Sequence, residues 1–162
     1  MSRCRLPWSL PISIAVLQIG VASAGTVSGD HDALQKAIGG SQRTSAYAER
    51  DRFRHPLQTL EFFGMQPGMT VVEVLPGSGW YTEILAPLLR DHGQLIEATP
   101  PMSSASPFAR KMAAKYKAKL SADPAVYGRV TVEPFEPPSY MGLGPPSTVD
   151  MIVTFRNIHD FM

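Results

Sequence analysis

Val71-Val72-Glu73-Val74-Leu75-Pro76-Gly77-Ser78-Gly79-Trp80 decides the fold of this chain. The stretch follows a Pro67-Gly68 turn, begins as a β-branched run and ends in a Gly-x-Gly bend that leads straight into a helical pattern. Such a near-continuous apolar run is the mark of a parallel strand buried on both faces. Two glycines at the strand-to-helix turn permit a tight bend and let a ligand lie against bare backbone. The helix that follows aims its N–H groups and the positive end of its dipole at the same place. Glu73 is the one acid in the run, and a carboxylate inside a buried strand is costly unless something pairs with it.

Beyond Gly79, the spacing of Trp80, Ile84, Leu85 and Leu88 predicts a helix, with Pro87 kinking or shortening its last turn. Trp80 reads either as core packing or as a ligand contact. Gly93 opens a second strand, Gln94 to Thr99, closed by Pro100-Pro101. After a Ser- and Pro-rich loop, Phe108 to Leu120 predicts an amphipathic helix with Phe108, Met112, Tyr116 and Leu120 turned inward and its cations on solvated faces. Asp123-Pro124 turns the chain, and Arg129 to Glu133 alternates as a third strand. The five prolines and two glycines between Pro134 and Thr148 predict a loop where a regular repeat would place a helix. Val149 to Phe155 is a fourth, nearly all-apolar strand that runs into Arg156-Asn157-Ile158-His159-Asp160.

Upstream, Asp30 is positioned to cap a short helix that Gly39-Gly40 stops. From Ser41 to Arg54, four arginines mix with Glu49 and Asp51. This segment reads either as a solvated helix face with local ion pairs or as a device that packs Arg54-His55-Pro56 beside a ligand mouth. His55 precedes proline and is expected to be extended. Pro56 suits the first turn of a helix that runs to about Phe63.

The order β-α-β-α-β-loop-β predicts an α/β, Rossmann-like, doubly wound and mainly parallel sheet. Ligands of such sheets sit beyond the carboxyl ends of the strands, at the switch point. The Pro76–Gly79 bend, the end of the second strand, and Asn157 to Asp160 all fall there.

At 162 residues the chain has room for one domain with a core. Arg3 and Arg5, an apolar run from Leu10 to Val21 too short to span a bilayer, and Ala22-Ser23-Ala24 together read as a signal peptide over residues 1–24. Export, to the periplasm, is the expected location, without a stable membrane anchor. Cleavage removes two arginines and no acids, which leaves 13 cations against 14 acids. A net charge of −1 supplies no basic field for nucleic acid. The single cysteine, Cys4, leaves with the leader, so the mature chain has no disulfide and no thiol nucleophile. Its histidines show no metal-ligand spacing.

A Gly-x-Gly after a strand is by itself compatible with a dinucleotide, a flavin or S-adenosylmethionine. The longer run from Gly68 to Pro87 resembles the first motif of class I S-adenosylmethionine-dependent methyltransferases, and more narrowly a bacterial group of often exported methyltransferase-like proteins. Arg54-His55-Pro56 and Phe155-Arg156-Asn157-Ile158-His159-Asp160 are similar to that group as well. The resemblance implies S-adenosylmethionine as cofactor and methyl transfer to an unknown acceptor. The resemblance covers about residues 41 to 162, and with the leader 1–24 set aside the chain is expected to divide into an N-terminal helical extension 25–56 and a partial methyltransferase-like domain 57–162. By position it implies cofactor contacts from Glu73, Pro76, Gly77, Ser78, Gly79, Glu97 and Asn157. Leu75 stands where the family has its first glycine. Glu97, with Thr99 at the strand tip on the same side, stands in for the family's ribose-binding acid. Glu133 and Glu136 lie near the expected adenine contact. His159 and Asp160 fall near the transferable methyl, as proton acceptors or as loop hydrogen-bonders. The family's sheet has seven strands and four are legible here, so the chain is expected to be C-terminally truncated. Val149 to Phe155 is then an uncovered edge that a partner or a second copy would cover. A non-catalytic, exported, Rossmann-like binding domain is the alternative reading, and an inactive fragment a third.

Overall fold

The computed structural model describes residues 24–157, with side-chain surroundings from residue 29 onward. His159 and Asp160 lie outside the described residues, as does the expected leader apart from Ala24. The chain builds a mixed α/β fold around one mainly parallel sheet. The central strand is β1 (Thr70–Val74), which pairs in parallel with β2 (Gln94–Thr99) on one side and β5 (Met151–Thr154) on the other. The sheet continues from β2 to parallel β3 (Thr131–Glu136) and then to a short antiparallel β4 (Tyr140–Met141). The resulting order is β4-β3-β2-β1-β5. The chain steps outward from β1 to β3 and then returns to the far side of β1, so the winding switches direction between β1 and β5. A ligand crevice belongs beyond the carboxyl ends of those strands.

Seven helices accompany the sheet among the described residues: α1 (Ala24–Ile38), α2 (Ser45–Ala48), α3 (Asp51–Arg54), α4 (Pro56–Phe62), α5 (Thr82–Leu89), α6 (Pro107–Ala122) and α7 (Pro124–Tyr127). One sheet face carries Val71, Leu95 and Val153 against Leu34 of α1, Leu60 of α4 and Ile84 of α5. Each fully buried aliphatic chain of this kind contributes about 1.5–3 kcal/mol. Leu34 and Ala37 belong to this same cluster, so α1 shares the core of the sheet. The opposite face, built on Val72, Val74, Ile96, Ala98 and Phe135, is covered by Leu143 and Val149 from the crossing between β4 and β5. That crossing is irregular because its prolines cannot continue a helix.

Several expectations change in detail. Helix α1 begins at Ala24 and not at Asp30, since Gly25 to Gly29 adopt helical geometry ahead of the capping candidate. His55 is left-handed, with φ +46°, and not extended. It ends α3 and opens α4, donating its N–H to Asp51 O at 2.8 Å, and the reversal between two short helices outweighs the pre-proline preference. The segment 41–54 is not one solvated helix. It breaks into α2 and α3, and Arg43 is buried. The third strand is displaced to Thr131–Glu136. In α6 the inward side is Ala113, Tyr116 and Leu120, while Phe108 is 74% exposed, because the first turn overhangs the sheet end. The region expected to be a plain loop contains β4. The last strand lies at the sheet edge and alternates, with Val153 buried and Ile152 54% exposed.

Candidate functional site

The bend after β1 is held open by backbone conformation. Leu75, Gly77 and Gly79 all have positive φ, at +53°, +62° and +77°. Leu75 N–H donates to Ala98 O at 2.8 Å, which keeps the bend attached to β2. The two glycines do different things. A Cβ on Gly79 would come within 3.0–3.2 Å of Lys119 and Tyr116, so this glycine lets α6 approach. A Cβ on Gly77 would meet nothing within 4 Å, so its backbone faces open space.

That space is a cleft of about 270 Å³. Leu75, Pro76 and Gly77 form one wall, and Phe108, Ala109 and Met112 of α6 form the facing one. Thr99 and Pro100 at the tip of β2, and Asn157 after β5, complete the lining. Asn157 uses its amide nitrogen on the scaffold, donating to Leu75 O at 2.9 Å, Val74 O at 3.3 Å and Thr154 Oγ1 at 3.2 Å. It thereby ties the end of β5 to the bend across the switch point.

Glu73 and Glu97 are register partners on adjacent strands. Both are buried, beneath the cleft and off its lining. Thr82 Oγ1 donates to Glu73 Oε2 at 2.9 Å, and the Tyr116 hydroxyl lies 2.9 Å from the same Thr82 oxygen. With Thr82 committed to Glu73, Tyr116 is the donor of that second bond. Glu97 is fully buried against Glu73, with the Tyr116 and Thr82 hydroxyls beside the pair. Burial pushes the Glu73 carboxyl up to about 7, against smaller opposing effects of Glu97, Thr82 and the Lys119 charge. Burial, and then the neighbouring Glu73 charge, hold Glu97 well above the usual carboxylate range. Two carboxylates this close in a dry interior cannot both ionise, so the pair keeps a proton at neutral pH.

A third acid, Glu83, organises the surroundings. Lys119 Nζ donates to its Oε1 at 2.6 Å, Thr44 Oγ1 donates to the same oxygen at 2.6 Å, and Thr44 N–H donates to Oε2 at 2.8 Å. The Arg43 guanidinium stands 3.6 Å away and also pairs with Asp51 at 2.9 Å. Burial alone would raise Glu83, but Lys119 and the Thr44 donors outweigh it and hold the carboxyl below its ordinary value. This hub clamps the N-terminal segment against α5 and α6. The same segment caps the bend: the Tyr47 hydroxyl donates to Ser78 O at 3.0 Å, and Trp80 Nε1 donates to Tyr47 O at 3.0 Å. Trp80 is buried between the guanidinia of Arg43 and Arg54, 5.0 and 4.5 Å from its ring centre, and packs rather than lining the cleft.

The structure thus brings Pro76, Gly77 and Asn157 together on one cleft. Ser78 is exposed with its carbonyl taken by Tyr47, and Gly79 lies under α6. Thr99, and not Glu97, reaches the lining at the tip of β2. Glu136 accepts a hydrogen bond from Ser104 and, like Glu133, is off the cleft lining. Sequence reasoning missed Glu83 and Arg43. An acid in the first turn of the helix after the bend, facing an arginine some forty residues upstream, carries no local signal. It also read Phe108 and Met112 as core, although their apolar spacing is what provides the cleft's second wall. Among the described residues no group of His, Cys, Asp and Glu is placed to hold a metal ion. No described helix is long and apolar enough to cross a membrane.

No family model matches the chain, and no curated protein matches it. Among solved structures, a protein-L-isoaspartate O-methyltransferase is similar at 16% identity with a TM-score of 0.45, over 60% of this chain. The chain spans 27% of the length of that structure.

Proposed function

We propose that the cleft beside Gly77 binds S-adenosylmethionine and that the chain is the cofactor-binding part of a methyltransferase with an unidentified acceptor. The observation that carries this reading is the exposed Gly77 backbone, at φ +62° with no atom within 4 Å of an added Cβ, set in a cleft beyond the ends of β1 and β2. The motif resemblance around it supports the choice of ligand. The lining fits the group: Gly77 offers bare backbone, the Thr99 hydroxyl offers a ribose partner, and Pro76, Phe108 and Met112 offer apolar walls for a base. When bound, the cofactor supplies an electrophilic sulfonium methyl. The chain's part is alignment and exclusion of water. Asn157 holds the bend, and the buried Glu73–Thr82–Tyr116 chain supports it from below. His159 or Asp160 accepts the acceptor's proton in this reading. The leader directs the chain to the periplasm, where N-terminal sequencing of the mature protein should find Gly25 first.

Calorimetric titration with S-adenosylmethionine and S-adenosylhomocysteine tests the proposal. The wild-type chain should bind both and give no heat with NAD. Gly77→Val should abolish the signal by placing a branched side chain in the ligand's path. Binding retained by that variant would place the ligand elsewhere. One observation favours a second reading, a binding module without transfer activity: the tip of β2 offers the uncharged Thr99 where the resembled family has an acid. Nucleoside binding without methyl transfer to any acceptor pool would select it.

A further inference from the structure

Three arginines from two separate parts of the chain converge beside the bend. Arg50 and Arg54 arrive on the N-terminal segment that Tyr47 and Trp80 fasten to the loop. Arg54 lies over the Trp80 ring at 4.5 Å. Trp80 meets Tyr81 edge-on at 4.6 Å, and Tyr81 stacks at 3.5 Å on Phe155, the residue before Arg156. Arg156 takes φ +65°, a conformation costing a non-glycine residue about 1–2 kcal/mol, and is followed directly by the cleft residue Asn157. Strain of this kind gathers where a side chain must be aimed.

Burial lowers the Arg54 pKa, and the positive charges of Arg50 and Arg156 lower it further. Among the described residues, none of the three forms an ion pair with a carboxylate, whereas the adjacent Arg43 is paired with both Asp51 and Glu83. Nor does general basicity explain the cluster, since the whole chain carries a formal charge of +1. Guanidinium forks held together without an acid match the oxygens of a carboxylate or phosphate.

We propose that Arg50, Arg54 and Arg156 form a subsite for an oxyanion carried by the molecule that occupies the glycine-loop cleft. That group is either the amino-acid carboxylate of a nucleoside cofactor or an acidic group on the methyl acceptor. Identifying the occupant rests on the reading above; capture of an oxyanion does not.

Titration of the full chain with three probes separates the cases. The probes are S-adenosylhomocysteine, 5′-deoxy-5′-methylthioadenosine, which lacks the amino-acid part, and inorganic phosphate. The variants are Arg50→Gln, Arg54→Gln and Arg156→Gln, with Arg54→Lys as the charge-preserving control. Arg54→Gln should weaken an oxyanion probe about tenfold or more, the scale of one charge-assisted hydrogen bond. Arg54→Lys should recover part of that loss. If S-adenosylhomocysteine weakens while methylthioadenosine is unchanged, the subsite holds the cofactor's carboxylate. If both nucleosides are unchanged and phosphate binding weakens, it holds the acceptor's acid. If neither nucleoside binds the wild type but phosphate does and the variants lose it, the methyltransferase reading fails and the subsite stands. If every variant binds all three probes as the wild type does, or the wild type binds none, the proposal is overturned. Arg50→Gln and Arg156→Gln, at exposed positions, should leave the melting temperature unchanged or raise it by relieving repulsion. A marked fall would assign the arginines to structure and overturn the proposal as well.

Discussion

The buried pair Glu73 and Glu97 should make this protein less stable as the pH rises through neutrality. Glu73 is displaced by burial from its ordinary 4.5 to about 7. Its folded form therefore keeps a proton that the unfolded chain releases above pH 4.5. The associated stability is fully present below the unfolded value and is lost as the pH climbs through the folded one. At about 1.4 kcal/mol per pH unit, this one carboxyl costs the fold about 3 kcal/mol by the time the pH has passed 7. Glu97, also raised, extends the decline to higher pH. A loss of about 3 kcal/mol is a large share of the 5–15 kcal/mol that holds a typical domain together. For a chain of this size it corresponds to a fall of about 10 °C in melting temperature. Glu83 works in the opposite sense. Its carboxyl is held low, so its contribution is present above the unfolded value and is lost on acidification. Stability should therefore peak near about pH 5 and fall on both sides. The assay is urea unfolding followed by Trp fluorescence from pH 4 to pH 8.5, on wild type and Glu97→Gln. The amide keeps the shape, removes one buried acid and can donate to Glu73, so the variant should be more stable than wild type at pH 8 and its alkaline decline should flatten. A wild-type profile that is flat or rising from pH 5 to pH 8, with no gain from the amide, would mean both carboxylates are ionised and well solvated, and the account of the pair would be wrong.

Glu83→Gln removes the acid that Lys119 and Arg43 share, leaving the almost fully buried Arg43 with Asp51 as its one acidic partner among the described residues. Chemical unfolding should show a loss of about 3 kcal/mol, the low end for breaking a buried pair, since Lys119 can reach water. Gly79→Ala places a Cβ within 3.0–3.2 Å of Lys119 and Tyr116 at φ +77°. It should cost at least about 1–2 kcal/mol in the same assay and weaken nucleoside binding by pushing α6 off the bend. Ile152→Lys puts a charge on the exposed side of the edge strand β5. It should change stability by less than about 0.5 kcal/mol while reducing concentration-dependent association in light scattering, because a charged edge resists strand pairing.

The parts of the fold that were legible in the sequence are those whose signal is local. β1 and β2 announce themselves as apolar runs bounded by glycine and proline, and Pro56 starts a helix where proline can. What stayed hidden depends on partners far along the chain. His55 was expected to be extended because it precedes proline, yet the reversal between α3 and α4 imposes a left-handed turn. Arg43 looked like one member of a solvated charge cluster, and only the approach of α5 shows that Glu83 buries it. Phe108 and Met112 had the right spacing for a core stripe, but α6 overhangs the end of the sheet, so that spacing lines a cleft instead.

The candidate site shows the same division. Each strand beside the bend carries one acid, and period-two alternation places each acid on a face. Nothing local fixes how the two strands are offset. The observed parallel register sets Glu73 directly beside Glu97. A shift of one residue would turn Glu97 to the other face, against Val72 and Val74. The register thus decides that the acid of β2 is spent on a buried proton-sharing pair and that Thr99, two residues on, reaches the cleft. A nucleoside recognised here meets a hydroxyl at the tip of β2 rather than a carboxylate. The ribose contact then loses its charge-assisted character, worth about 1.5–3 kcal/mol against about 1 for a neutral bond. A Thr99→Asp variant should recover part of that difference as tighter nucleoside binding. If it weakens binding instead, the nucleoside's hydroxyls do not lie at the tip of β2.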